Sequence, residues 1–206
     1  PEKLTNHISE ILGQGSGVLS LGGDHYITFP ILRAFVEKFG PIALVHFDAH
    51  SDTWPDDDVS RIDHGTMFYK AVKEGLIIPN KSVQIGIRTH NDFDAGVHVI
   101  DAPQVHEQTS KITASQVKEI VGDHPVYLTF DIDGIDPTFA PGTGTPEVGG
   151  FNVREAQMII RDLVNINFIG ADVVEVSPPF DVNNITSLVA ATIAFEILCT
   201  MTKTNK

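Results

Sequence analysis

Short apolar runs alternate with amphipathic stretches along the chain. Residues 2–13 read as a helix, and 18–21 as a short strand ending in Gly22-Gly23. Residues 29–39 (FPILRAFVEKF) read as a second helix, with Thr28 as its cap, Pro30 in its first turn and Gly40 as its stop. A strand at 42–47, a polar loop and a helix near 65–74 follow. Strands are then expected at 83–87 and 97–100. Thr113 and Gln116 have capping-box spacing, which predicts a helix from there to about Val121. The rest reads as a strand at 126–131, a helix at 152–165, a strand at 168–175 and an apolar helix at 185–201. Strands alternating with helices predict one α/β domain over 1–206, with a mainly parallel sheet covered on both faces. The Pro/Gly-rich run 137–150 sits between two strong elements and reads as an active-site loop rather than a linker.

Composition narrows the function classes. The formal net charge of −13 argues against nucleic acid, whose phosphates require Lys and Arg. It suits a cationic small substrate, divalent metals or simple solubility. The apolar stretch near 185–201 is interrupted by Thr, Ser and Glu196, so no membrane span is expected. The single cysteine, Cys199, leaves no intrachain disulfide and no Cys-based zinc site, and reads as a small core residue. This fits a reducing, cytoplasmic setting. The chain begins Pro1-Glu2 without Met, which reads as a natural start lost or processed.

Chemistry concentrates where the strands are expected to end. In HFDAHSDTW (46–54), Asp48, His50 and Asp52 stand at i, i+2 and i+4, and would share one face of an extended backbone. Asp131 and Asp133 in DIDGID (131–136) repeat the pattern. Glu175 lies near the end of DVVEV (172–176), and His25 follows the Gly22-Gly23 turn. Ligands of open α/β sheets bind beyond the carboxyl ends of strands. Four carboxylates in one pocket oppose one another's ionisation. Two divalent cations would cancel that charge and could activate water. Oxygen-rich ligands with some imidazole favour Mn²⁺ over zinc. The plainer readings stand beside these. Asp136-Pro137 reads as a turn, and Asp24 as a turn or cap. His7, His90, His98, His106 and His124 read as surface residues. His46 is assigned packing or support of the ligands, and the run Asp56-Asp57-Asp58 a solvated loop.

GGDH (22–25), DAHSD (48–52), DIDGIDP (131–137), PGTGTP (141–146) and EVSP (175–178) resemble, in order and spacing, the signatures of the ureohydrolases, the family of arginases and agmatinases. The resemblance implies a three-layer α/β/α sandwich, here lacking its N-terminal part. It implies two Mn²⁺ ions per chain, one on His25, Asp48, Asp52 and Asp131, the other on Asp48, His50, Asp131 and Asp133. It also implies a bridging hydroxide that attacks a guanidinium carbon. Glu175 would hold the guanidinium, Asp52 would relay a proton, and His64 in DHGTMF (63–68) would shuttle protons beside the substrate. Thr145 would lie near the substrate. The loop TWPDDDVSRIDHGTMF (53–68) looks like the agmatinase version, and its acidic residues would repel a substrate carboxylate, favouring agmatine. Urea and putrescine, a feed into polyamine synthesis, and a trimer or hexamer are further implications. Three other readings stay open: a hydrolase of guanidinobutyrate or arginine, a single-zinc deacetylase of related fold, and a non-catalytic metal-binding module. The second acidic residue of each cluster, Asp52 and Asp133, speaks against the single-zinc reading.

Overall fold

Six strands form one sheet: β1 (Val18–Leu21), β2 (Ala43–Phe47), β3 (Val83–Ile85), β4 (His98–Ile100), β5 (Val126–Asp131) and β6 (Phe168–Val174). Their spatial order is β1-β6-β5-β2-β3-β4, and every neighbouring pair is parallel. The structure, a computed structural model, describes residues 1–58, 60–93 and 95–204. Parallel strands are covered on both faces, so the central ones carry near-continuous apolar runs. Alternation along each strand divides its side chains between two cores. Ala43, Val45 and Phe47 join Val126, Leu128 and Phe130 in one core, while Leu44 and Tyr127 enter the other.

Three helices, α1 (Glu2–Gly13), α2 (Thr28–Phe39) and α3 (Met67–Lys73), cover the Leu44 and Tyr127 face. The opposite face carries α4 (Ala102–Glu107), α5 (Ser110–Val121), α6 (Val153–Asp162) and α7 (Ile185–Thr204). The result is the expected three-layer α/β/α arrangement. The approach of α2 to the sheet is close enough that a Cβ on Gly170 of β6 would lie 2.2 Å from the Phe35 ring. Glycine is required there for want of space.

Several boundaries differ from expectation. Helix α4 was not anticipated, although Asp101 and Gln104 form a reciprocal capping box with Pro103 in the first turn. The capping box expected at Thr113 and Gln116 is absent. Helix α5 is capped by Thr109, which accepts from the Ile112 amide, and Thr113 lies inside the helix, fully buried. Thr28 does not cap α2 either. A 3₁₀ turn, His25–Ile27, leads into that helix and is capped by Asp24, while the Thr28 hydroxyl donates to Asp172 (2.8 Å). Strand β3 stops at Ile85, β6 at Val174 and α6 at Asp162, each short of the apolar run that suggested it.

The last helix also departs from expectation, since its length and composition suffice to cross a membrane. One of its faces is built into the domain. Val189, Ile193, Ile197 and Met201 lie in the core, and Glu196 pairs with Arg161 of α6. Ile185, Leu188, Phe195 and Leu198 stay exposed on the other face, and Cys199 is half-buried.

Candidate metal centre

From β2 the chain runs outward to β3 and β4, then returns to place β5 on the other side of β2. The crevice at this reversal opens beyond the carboxyl ends of the strands. Register sets the level of the site. Phe47 pairs with Phe130, Asp131 with Val174, and Leu21 with Val173. Asp131, the last residue of β5, and the residues just past the other strands, Asp48, Glu175 and the Gly22–His25 turn, therefore meet in one place.

The two acidic clusters come together by turns, not by a shared strand face. Asp48 lies beyond the end of β2, its carboxylate accepts from the His50 amide (2.6 Å), and Asp52 takes a left-handed backbone (φ 51°). Asp131 ends β5 and caps a 3₁₀ turn by accepting from the Asp133 amide (2.8 Å). The shared extended face expected for both runs, i, i+2, i+4 in the first and i, i+2 in the second, is thus corrected. Short polar side chains satisfy their own backbone more readily in a turn than in an unpaired extension. Glu175 is also left-handed (φ 64°), held by its amide donating to the Gly23 carbonyl (3.0 Å). Such backbones cost about 1–3 kcal/mol each and cluster at functional sites.

Around His25 the geometry is that of a cation site. Its Nδ1 lies 3.2 Å from Asp48 Oδ2, 3.2 Å from Asp52 Oδ2 and 3.1 Å from Asp131 Oδ2, all but buried. None of these contacts has hydrogen-bond geometry, so Nδ1 is an orphaned buried polar atom. The other nitrogen explains its tautomer. Thr129 gives its one hydroxyl proton to Asp172 Oδ1 (2.5 Å), and so accepts from His25 Nε2–H (2.8 Å). In the neutral ring that leaves the Nδ1 lone pair facing three carboxylates. A second group gathers beside it, with His50 Nδ1 3.0 Å from Asp133 Oδ2 and 3.4 Å from Asp48 Oδ1. Asp48 belongs to both groups. The six expected ligands, His25, Asp48, His50, Asp52, Asp131 and Asp133, are all brought together, and their donor set fits a pair of hard divalent cations.

Electrostatics point the same way. Burial would raise Asp48, but His46, His25 and His50 hold it well below the usual carboxylate range. Burial and the repulsion of Asp133 and Asp48 push Asp131 well up. Burial and Asp48 also raise Asp52, and push Asp133 up to about 6. Against the effect of burial, His25 is raised by Asp131, Asp48 and Asp52, and His50 by Asp133 and Asp48, to about 11. Binding of a metal to such groups would compete with protons.

A polar row lies two residues before Asp48 and Asp131 on their strands. Gln84, His46, Thr129 and Asp172 occupy paired positions on β3, β2, β5 and β6, all buried. Gln84 donates to His46 Nδ1 (3.1 Å), so His46 donates from Nε2 to Asp48 (2.7 Å). The supporting place expected for His46 is the one it occupies. Thr28, Tyr127 and Thr129 all donate to Asp172. Thr129, Asp172 and Gln84 were missed from sequence. The signal was there, as polar residues inside strands that should be apolar on both faces.

A cavity of about 120 Å³ opens onto the cluster, lined by His50, Asp52, Trp54, His64, Thr145 and Glu175 among others. His64 Nδ1 lies 3.2 Å from both Glu175 and Asp24. Glu175, despite burial, is held below its ordinary range by His64 and the His25 amide, and it raises His64 to about 9. Thr145 donates to Asp133 Oδ2 (3.0 Å). His64 also lines an outer depression of about 440 Å³ with Asp24, Tyr26 and Asp63. A depression of about 490 Å³ beside Gln84, Arg88 and Asn91 is larger but contains none of the six ligands. Chemistry, not size, marks the site.

Asp57 and Asp58 of the acidic run are exposed, as expected of a solvated loop, and Asp56 and Asp57 are also tied to α3. Lys70, buried, lies 3.2 Å from Asp56 and donates to the Arg61 carbonyl (2.8 Å), and Lys73 pairs with Asp57 (2.5 Å). Asp136 makes the expected turn, accepting from the Thr138 amide (2.9 Å). His7, His90, His98 and His106 are exposed and His124 is half-buried.

A parallel α/β/α sheet with a carboxylate and imidazole pocket at its switch point defines a class, α/β domains with a candidate cation site at the carboxyl ends of their strands. Within that class the chain belongs to the arginase family, whose model matches residues 1–200. It is 54% identical to an agmatinase of Chromobacterium violaceum over 96% of this chain and 62% of the relative. It is 55% identical to an agmatinase of Escherichia coli over 96% of this chain and 64% of the relative. The chain thus spans a little over three-fifths of these curated relatives. Among solved structures it is similar to a hypothetical agmatinase from Burkholderia thailandensis (TM-score 0.94, 53% identity, 96% of this chain and 63% of that one). It is also similar to the proclavaminate amidino hydrolase of Streptomyces clavuligerus (TM-score 0.92, 43% identity, 98% and 69%).

Proposed function

We propose that the chain is the catalytic domain of an agmatinase, which hydrolyses agmatine to urea and putrescine. The observation that carries this reading is the orphaned Nδ1 of His25 facing three carboxylates, beside the His50–Asp133 pair. His25, Asp48, Asp52 and Asp131 would hold one Mn²⁺, and Asp48, His50, Asp131 and Asp133 the other. When bound, such a pair supplies hydroxide at neutral pH and shields the clustered carboxylates.

The remaining chemistry falls to the chain. Glu175, kept ionised by His64, accepts charge-assisted hydrogen bonds from the guanidinium and turns its carbon toward the ligand cluster. Asp52 takes the proton of the attacking water. His64, protonated near neutral pH, gives a proton to the departing amine. The guanidino carbon gains an oxygen and loses its bond to the alkyl nitrogen, giving urea and a primary amine. Thr145 steadies Asp133 at the edge of the cavity. Asp24 and Asp63 line the outer depression and favour a substrate ending in ammonium over one ending in carboxylate. The names of the relatives agree with this choice. A cytoplasmic role in polyamine synthesis, and assembly into trimers or hexamers, complete the proposal.

Urea release from agmatine, arginine and 4-guanidinobutyrate, with and without Mn²⁺, tests it. Manganese-dependent urea from agmatine alone is expected. Urea chiefly from a carboxylate-bearing compound would overturn the substrate assignment.

A further inference from the structure

Arg88 follows β3 in an acidic chain, and its guanidinium is spent entirely on backbone carbonyls. Nη2 donates to Asp133 O (2.7 Å) and Glu147 O (2.7 Å), and Nε donates to Glu147 O (3.2 Å). Nη1 donates to Gly86 O (3.2 Å) and Gly134 O (3.3 Å). Its own amide donates to Ala49 O (3.0 Å). One residue therefore ties together the turn that carries Asp133, the loop that carries Thr145, and the segment that carries Asp48 and His50. Ala49 closes the circle by donating to Asp133 Oδ1 (3.1 Å). Space is reserved for this fork, since a Cβ on Gly150 would lie 2.6 Å from Nη2 and 2.7 Å from the Gly134 carbonyl. Asp52 and His25, on the other side of the centre, receive none of its hydrogen bonds.

We propose that Arg88 is a positioning residue that shapes the His50–Asp133 half of the centre and sets the affinity of that half alone for its cation. The proposal rests on the two-ion reading above. A planar fork with five donors can hold four carbonyls at fixed distances, and its positive charge lies behind the carboxylates without touching the cation. A lysine keeps the charge but cannot span the same carbonyls. Partners of metal ligands typically change affinity by about 10–100-fold when removed.

The test is Mn²⁺ titration of the metal-free chain by calorimetry, with electron paramagnetic resonance to distinguish a coupled pair from an isolated ion. Wild type, Arg88→Lys, Arg88→Gln and Gly150→Ala are compared, and thermal melting of each metal-free form reports the fold. Expected is one ion bound as in wild type and a second weakened about 10–100-fold in all three variants, with the coupled signal replaced by that of an isolated ion. Arg88→Lys should lose less than Arg88→Gln. Unchanged binding of both ions, or parallel loss of both from variants that melt like wild type, overturns the proposal. Should both Arg88 variants fail to fold, Gly150→Ala decides, and normal binding of its second ion counts against Arg88. Wild type that binds fewer than two ions removes the two-ion reading itself, which separates the two failures.

Discussion

Thr129 has one hydroxyl proton, and by giving it to Asp172 it obliges His25 to donate from Nε2. A buried residue outside the ligand set thereby decides which nitrogen is free for a cation. Thr129→Val keeps the shape and removes that control. Mn²⁺ affinity should fall about 10–100-fold while the chain stays folded, as read by calorimetry and circular dichroism; unchanged affinity would remove the relay. His64 gives a second prediction. Its partner Glu175 raises it to about 9, so at neutral pH it carries a proton to donate, and loses it as pH rises. Activity should therefore fall on the alkaline side with an apparent pKa at or below about 9, since bound cations push it downward. His64→Asn should lose that limb and about 10²-fold in kcat. A limb that survives the substitution would assign the proton to another group. At this scale the residues of the cluster were legible, because Asp48, His50, Asp52, Asp131 and Asp133 gather at apparent strand ends. Their backbones were not. The left-handed conformations of Asp52 and Glu175 depend on long-range contacts, such as the Glu175 amide with Gly23, that local sequence does not encode.

At the scale of elements, apolar runs revealed all six strands and most helices, since each must bury a face. What they misjudged were starts and stops. HEQTSKITASQ offers hydroxyls at 109, 110, 113 and 115, and burial of Thr113 against the core settled the choice in favour of Thr109. Helix α4 is too short to show periodicity, and only its cap announces it. Arg88 was overlooked for a related reason: a lone arginine after a strand has no periodic or motif signature, and its partners are carbonyls from distant turns. The fit of α2 on the sheet gives a direct test. Gly170→Ala drives a methyl into the Phe35 ring, and should cost about 1–3 kcal/mol in chemical denaturation. A neutral result would mean that α2 moves away without penalty.

The whole molecule carries a formal charge of −13, and Asp24 and Asp63 line the approach to the cavity. A cationic substrate gains from that field, and salt weakens it over a Debye length of about 8 Å at physiological ionic strength. The kcat/KM for agmatine should decrease as NaCl increases, chiefly through KM. A salt-independent value would mean that the charge serves solubility alone. The order of the strands explains why sequence could point to the site before the fold was known. A reversal at β2 and β5 concentrates polar strand ends in one crevice, and those ends stand out against apolar runs. The central claim is that two cations in this crevice make the chain a guanidino hydrolase. Its most direct test is urea release from agmatine by the metal-free chain as Mn²⁺ is added from zero to two equivalents. No urea is expected without metal, and full activity only as the second equivalent binds. Urea from the metal-free chain, or none from a folded chain holding two ions, would contradict that claim.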